Sequence, residues 1–421
     1  MQSSIKLRLT VMNFLQFAVW GAYLTSMGRY LGTAGFGSEI GNFYAMQGLV
    51  SLFMPALMGI VADRWIPAQR LLGVCHTLAG MLMLGVFLYT QTDAPSYPSL
   101  FALYSLSVAF YMPTLALSNS VAYSSLDQAG LDLVKSFPPI RVFGTVGFIC
   151  TMIAVSLLGL EATSGQFAVS AIISLVLAVY AQTLPNCPTA PKGQSKSLVE
   201  ALGLRAFVLF KQRKMALFFI FSMLLGVSLQ ITNGFANPFI STFGEIPAYA
   251  DTFGVKYANI LISLSQLSET LCILLIPFAL RRFGIRRVML IAMVAWVLRF
   301  ALLGLGNPGS GVWLFLLSMI VYGVAFDFFN VSGSLFVDKE TDPSIRSSAQ
   351  GLFMIMTNGI GATLGSLGAQ AVINHFVHTE HDTTAILAGW SMSWYIFAAY
   401  AAVVAVLFAL LFRYNTTTEA K

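Results

Sequence analysis

Residues 312–337 read VWLFLLSMIVYGVAFDFFNVSGSLFV. Asp327 is the one charge in that run, and at about 1.5 Å per residue a helix of this length crosses the roughly 30 Å hydrocarbon core of a bilayer. A carboxylate at bilayer depth costs about 2.5 kcal/mol or more, so it persists where it faces a protein interior or a water-filled cavity. Asp327 is therefore a candidate functional residue. Its immediate neighbourhood, VYGVAFDFFN from Val321 to Asn330, puts aromatic side chains on both sides of it.

The composition agrees with that reading. The chain has 421 residues, 57% hydrophobic and 10% charged, with a mean hydropathy of +0.78. A soluble protein carries about 25% charged residues, so a polytopic membrane protein is the class that fits. The net charge of +6 does not indicate nucleic acid, because the basic residues fall in short loops between apolar runs. Cys75, Cys150 and Cys272 lie in apolar runs and Cys187 in a linker, which is no disulfide framework. The basic segment 1–10 leads into a long apolar run without a small-residue cleavage site, so an uncleaved first helix is expected.

A spanning helix needs roughly 20 mostly apolar residues. About twelve such spans are expected, the first six near 9–31, 39–62, 70–91, 98–123, 138–160 and 165–184. The second six fall near 215–241, 256–280, 286–306, 311–337, 347–374 and 386–412. The fold class is all-α integral membrane, with an N-terminal six-helix domain (1–184), a cytoplasmic linker (185–214), a C-terminal six-helix domain (215–412) and a cytoplasmic tail (413–421). The linker contains PNCPTAPKGQSKS, a loop composition. With both termini cytoplasmic, the inside loops hold 19 of the 23 Lys and Arg residues, including Lys192, Lys196 and Lys421, and the outside loops hold only Arg29 and Lys256. The other two, Arg141 and Arg299, fall in spans. That asymmetry predicts N-in and C-in.

The halves echo each other. Pro55-Ala56-Leu57 resembles Pro277 to Leu280, each before a basic turn. Val108-Ala109-Phe110 matches Val324-Ala325-Phe326, and Pro138 to Arg141 resembles Pro343 to Arg346. Parallel six-helix repeats place substrate near the midplane between the halves. After the second span stands Gly59-Ile60-Val61-Ala62-Asp63-Arg64, then Arg70. It resembles the cytoplasmic loop motif of the major facilitator superfamily, in which the glycine admits close helix approach and the Asp and Arg pair at a gate. An ordinary basic turn is the competing reading.

Several polar residues lie inside spans. Gln266 and Glu269 share a helix face at i, i+3, and an ionised glutamate there must be protonated or strongly paired. A structural glutamate bonded to a neighbouring helix is the alternative. Tyr322, Phe326 and Asn330 form a row beside Asp327. Gln230, Asn233 and Asn237 form another row, expected to line a polar cavity rather than act only as interhelical glue. Arg141, Thr145 and Phe148 stand at i, i+4 and i+7, and on the residues alone Arg141 reads equally as an inner-face anchor or a site residue. Arg299 is expected to snorkel to the outer interface. His375, His378 and His381 fall in an outer loop and read as solvated, with no metal or cofactor implied. His76 reads as a satisfied structural histidine.

Longer segments carry a more specific likeness: NFLQFAVWGAYLT from Asn13, FMPALMGIVADRW from Phe53, FPPIRVFGTVGF from Phe137, FFIFSMLLGVSLQITN from Phe218, SLSQLSETL from Ser263 and SMIVYGVAFDFFNVSGSLFV from Ser318. Together they resemble the nucleoside:proton symporter family of the major facilitator superfamily, the group of the bacterial inner-membrane nucleoside permeases. The resemblance implies the twelve-helix facilitator fold around a central cavity, and import of a nucleoside such as uridine or adenosine with a proton by alternating access. It implies substrate contacts from Arg141, Thr145, Phe148, Gln230, Asn233, Gln266, Glu269, Tyr322 and Phe326. Proton coupling falls to Asp327, with Glu269 as the second acid, and the division of labour between the two stays open. Gly59, Asp63 and Arg64 would be the gating motif.

These side chains suit such a ligand, since a nucleobase offers an apolar face for stacking, worth about 1–3 kcal/mol per base in nucleic-acid binders, and a polar edge for amides. The expected setting is the bacterial cytoplasmic membrane, with a monomer in lipid and no nucleic-acid partner. A proton symporter for another small polar solute such as a sugar is the first rival. A membrane-embedded enzyme is the distant one, since no nucleophile–base pair or ligand cluster stands near a membrane face.

Overall fold

The computed structural model describes residues 2–189, 198–201, 204–343 and 345–414. Lys192, Lys196, Ser344, Lys421 and the tail beyond 414 lie outside the described residues. Every regular element among the described residues is helical, and nine helices are long and apolar enough to cross a membrane. One of the nine, Ala258–Leu305, is two spans. Gly284 has φ +74°, a left-handed conformation that glycine adopts without a Cβ clash. Arg299 then reaches back to Ser265, 34 residues earlier, at 3.3 Å, where a straight helix would separate them by about 50 Å. The first span is supplied by Gln2–Gly21 followed by Met27–Thr33, and the sixth by the shorter Gly165–Ala181. Counted this way, the described residues supply the twelve spans expected from hydropathy.

Two helix starts are set by carboxylates. Asp132 accepts the N–H of Lys135 at 3.3 Å, and the fifth span begins at Leu133, five residues before the expected 138. Asp382 accepts from Thr384 and Ala385 at 3.1 and 3.2 Å and opens the last span, Thr383–Leu411. Each satisfies N–H groups that the first helical turn leaves without partners.

The chain forms two compact units, Met1–Phe36 with Leu49–Leu202, and Gly37–Gly48 with Gly203–Lys421. The second span is therefore divided. Its first half belongs with the second unit, where Gly41 N–H donates to Gln370 Oε1 at 2.6 Å, Gln370 Nε2 donates to Gly37 O at 3.0 Å and Thr363 Oγ1 to Ala45 O at 3.3 Å.

Each unit is drawn tight by glycines. In the first, a Cβ on Gly21 would lie 2.8 Å from Phe148 Cα, and one on Gly147 would lie 3.0 Å from Phe14 Cα, so the first and fifth spans meet backbone to backbone. In the second, Gly226 meets Thr357, and Gly365 meets Val227. Thr357 lies in a π-helical turn, Ile355–Gly361, that widens the eleventh span. Small residues at crossings are how membrane helices gain packing energy, because lipid tails are as apolar as their side chains. Gly59 does not act this way: a Cβ there would meet nothing within 4 Å, contrary to the close approach expected of it.

Candidate functional site

In the first unit, Arg141 stands two turns into the helix Leu133–Leu157, away from its end, and its guanidinium lies over the Phe17 ring at 4.0 Å from the centroid. Thr145 is half-buried one turn further on. Phe148 is buried edge-on against Trp20, at 6.3 Å and 88°, and Trp20 in turn packs on Tyr111 at 6.1 Å. The first span thus supplies aromatic partners to both Arg141 and Phe148.

A closed polar network supports that aromatic group from behind. His76 is fully buried, with Nε2 2.8 Å from Gln16 Oε1 and Nδ1 2.9 Å from Ser174 Oγ. Gln16 Nε2 donates to Thr114 Oγ1 at 2.7 Å, and the Tyr111 hydroxyl donates to Gln16 O at 2.8 Å. Both imidazole nitrogens are satisfied, as the structural reading of His76 expects. A network with every member bonded fixes its helices; one with a missing partner would cost about 1–3 kcal/mol for each stranded group.

In the second unit, the tenth span (Val312–Glu340) carries Tyr322 and Phe326 stacked at 5.6 Å and 14°, with Trp296 edge-on to Tyr322 at 5.9 Å. Asp327 follows directly, 5% exposed, and its Oδ2 has no hydrogen-bond partner among the described residues. A Cβ on Gly323 would lie 2.6 Å from the Ser268 carbonyl carbon and 2.7 Å from Cys272 Sγ, so the tenth span presses on the eighth at this level. Ser268 also donates its hydroxyl to the Ile320 carbonyl. Glu269, next to Ser268 and half-buried, thereby comes close enough to Asp327 for the two charges to interact. Gln266 is half-buried on the same helix.

The amide row of the seventh span (Arg213–Thr242) divides in two. Asn233 Nδ2 donates to Gln230 Oε1 at 2.8 Å, and Gln230 approaches the buried Gln47 at 3.5 Å. Both lead residues are half-buried. Asn237 is fully buried and donates to Asn259 at 2.9 Å, so it is interhelical glue and not the third lining residue expected from its spacing.

Arg299 overturns the snorkelling expectation. It is 2% exposed, donates to Ser318 O at 2.8 Å and Ser265 Oγ at 3.3 Å, and lies over the Tyr322 ring at 4.5 Å from its centroid. Hydropathy gives depth along a span but not the direction a side chain faces, and the serines that hold this one are unremarkable in sequence. Gln47, Trp20 and Phe17 carry no charge or spacing that marks them in sequence, although Trp20 and Phe17 lie within the NFLQFAVWGAYLT segment.

Asp63 is half-buried and Arg64 exposed at the end of Met54–Arg64. Among the described residues, no three His, Cys, Asp or Glu side chains converge as metal ligands, and His378 hydrogen-bonds Gly37 O at 3.1 Å.

The profile of a family described as nucleoside H+ symporter matches residues 3–417. The chain is 49% identical over 420 residues to a xanthosine permease of Escherichia coli, covering 99% of this chain and 98% of that one. It is 46% identical over 415 residues to the nucleoside permease NupG of Escherichia coli, covering 98% and 97%. The crystal structure of nucleoside transporter NupG superposes with a TM-score of 0.89 at 46% identity, covering 98% of this chain and 100% of that one.

Proposed function

Because the chain belongs to the nucleoside H+ symporter family, we propose that it imports nucleosides with protons, using the intramembrane residues described above. It is a multi-pass membrane transporter and not an enzyme. The observation that carries the site assignment is a buried carboxylate, Asp327, adjoining a stacked aromatic pair, Tyr322 and Phe326, with a second carboxylate, Glu269, within electrostatic reach.

Tyr322, Phe326 and Phe148 are suited to the faces of a nucleobase. Gln230, Asn233, Gln266 and Thr145 offer donors and acceptors for its edge and for ribose hydroxyls, and Arg141 adds a fixed cation. Asp327 takes the proton: its Oδ2 has no hydrogen-bond donor among the described residues to hold it ionised, so binding a proton relieves a buried charge. Glu269, more exposed than Asp327, is suited to accept ribose hydroxyls and serves as the second acid. Asp63 and Arg64 are assigned to the gate, without the close helix approach at Gly59. The setting is the cytoplasmic membrane with both termini inside, the chain working as a monomer in lipid without nucleic acid.

Uptake of radiolabelled uridine, adenosine and xanthosine into vesicles, with and without an imposed inward proton gradient, tests the reading. Nucleoside should accumulate only with the gradient, and unlabelled nucleoside should compete while a hexose does not. Gradient-insensitive uptake, or displacement by the hexose, would defeat it.

A further inference from the structure

Arg299 is a buried cation that no transport role has yet absorbed. Its contacts among the described residues are all neutral: the Ser318 carbonyl at 2.8 Å, the Ser265 hydroxyl at 3.3 Å, Met319 Sδ at 3.9 Å and the Tyr322 ring at 4.5 Å. Its Nε has no hydrogen-bond partner among them. A buried charge is expensive unless compensated, and simple helix gluing would be served by a serine or an asparagine at far lower cost. What a guanidinium does that those cannot is lie flat under an aromatic ring while donating in its own plane.

The surrounding geometry gives that ability a use. Ser318, one turn before Tyr322, accepts from the guanidinium that lies over the Tyr322 ring at 4.5 Å, and Phe326, one turn after, stacks with the same ring at 5.6 Å and 14°. Trp296, one turn from Arg299 on the ninth span, closes the edge of Tyr322 at 5.9 Å. Ser318 Oγ returns a bond to Arg299 O at 2.9 Å, locking the two spans in register. Ser265 is adjacent to Gln266 and one turn from Glu269. Arg299 therefore ties together the two spans that carry Gln266, Glu269, Tyr322, Phe326 and Asp327.

From this we infer that Arg299 is a positioning residue for substrate: it clamps the Tyr322 ring in the orientation that receives a nucleobase, and it acts on binding rather than on the proton. The inference rests on the assignment of Tyr322 to the substrate site. A ring held by cation–π contact and by stacking on Phe326 presents a prepared surface, and removing the cation frees it to rotate, so ordering it again on binding weakens affinity.

The test is nucleoside uptake kinetics for the full chain in vesicles, comparing Arg299→Met, Arg299→Lys, Ser265→Ala and Tyr322→Leu, with Arg299→Met/Tyr322→Leu closing a double-mutant cycle. Arg299→Met should raise KM about tenfold with Vmax within about twofold, equally in proton-driven uptake and in proton-independent counterflow. Arg299→Lys keeps a cation over the ring and should recover KM to within about threefold of wild type. In the double variant the arginine substitution should add nothing to the effect of Tyr322→Leu, because the ring through which it acts is gone.

Ser265→Ala loosens the clamp without removing the charge and should raise KM about twofold to threefold; it serves if Arg299→Met does not fold. An unchanged KM in Arg299→Met, or in Ser265→Ala where Arg299→Met does not fold, a loss confined to Vmax, or additive effects in the cycle would each overturn the inference. If Tyr322→Leu itself leaves KM unchanged, the site assignment fails and the inference falls with it. If Tyr322→Leu weakens binding and the Arg299 variants do not, the inference fails alone.

Discussion

Asp327 and Glu269 differ in what surrounds them, and the proposed division of their work follows that difference. Asp327 is 5% exposed with an oxygen that has no hydrogen-bond partner among the described residues, whereas Glu269 is half-buried beside a serine that already serves the neighbouring helix. Asp327→Asn keeps the shape and removes the titration. One proton per nucleoside drives about tenfold accumulation per pH unit, roughly 1.4 kcal/mol. The variant should lose that accumulation in vesicles carrying an inward proton gradient, settling at an inside-to-outside ratio of about 1, while counterflow exchange persists. Accumulation by the variant that still follows the gradient would place the coupling proton elsewhere. Carboxylates at this depth are visible in a sequence because the bilayer makes them costly. Arg299 sits in a similar run and its role was not legible, because the groups that hold it are an ordinary carbonyl, a serine and a ring whose direction only the packing reveals.

Helices in this chain meet where glycine lets them, and the contact that matters most for the site is Gly323 on Ser268. A valine side chain there must displace the eighth-span backbone, since even a Cβ would lie 2.6 Å from the Ser268 carbonyl carbon. Overpacking of that kind costs about 1–3 kcal/mol. Gly323→Val should therefore lower the melting temperature in detergent by roughly 1–3 °C and sharply reduce gradient-driven uptake, and an unchanged Tm with full uptake would show that this contact does not set the spacing. The spans themselves were readable from hydropathy, and the turn near Gly284 falls where basic residues interrupt the apolar run. Two features were not readable. The fifth helix starts at Leu133 because Asp132 caps it, a local bond that outweighs two following prolines. The second span is divided because Gly37, Gly41 and Ala45 find polar partners more than 300 residues away, which no local pattern announces.

At the scale of the whole chain, the proposed N-in, C-in orientation rests on where the basic residues fall, and Arg299, like Arg141, lies in a span and not in a loop. That has a consequence for how the protein is made. An arginine at the centre of a helix raises the apparent cost of membrane insertion by about 2.5–3.5 kcal/mol, and the carbonyl and ring that offset it belong to Ser318 and Tyr322, on the span synthesised next. The ninth helix leaves the ribosome after Ser265 but before the Ser318 carbonyl and the Tyr322 ring exist. It should enter the bilayer poorly alone and well as a hairpin with the tenth. Glycosylation mapping of nascent chains should show the ninth span inserting efficiently when the chain extends to 340 but incompletely when it ends near 311, and Arg299→Leu should erase the difference. Equal insertion of both lengths in the wild-type sequence would mean that the translocation machinery, rather than the next helix, shelters this charge during synthesis.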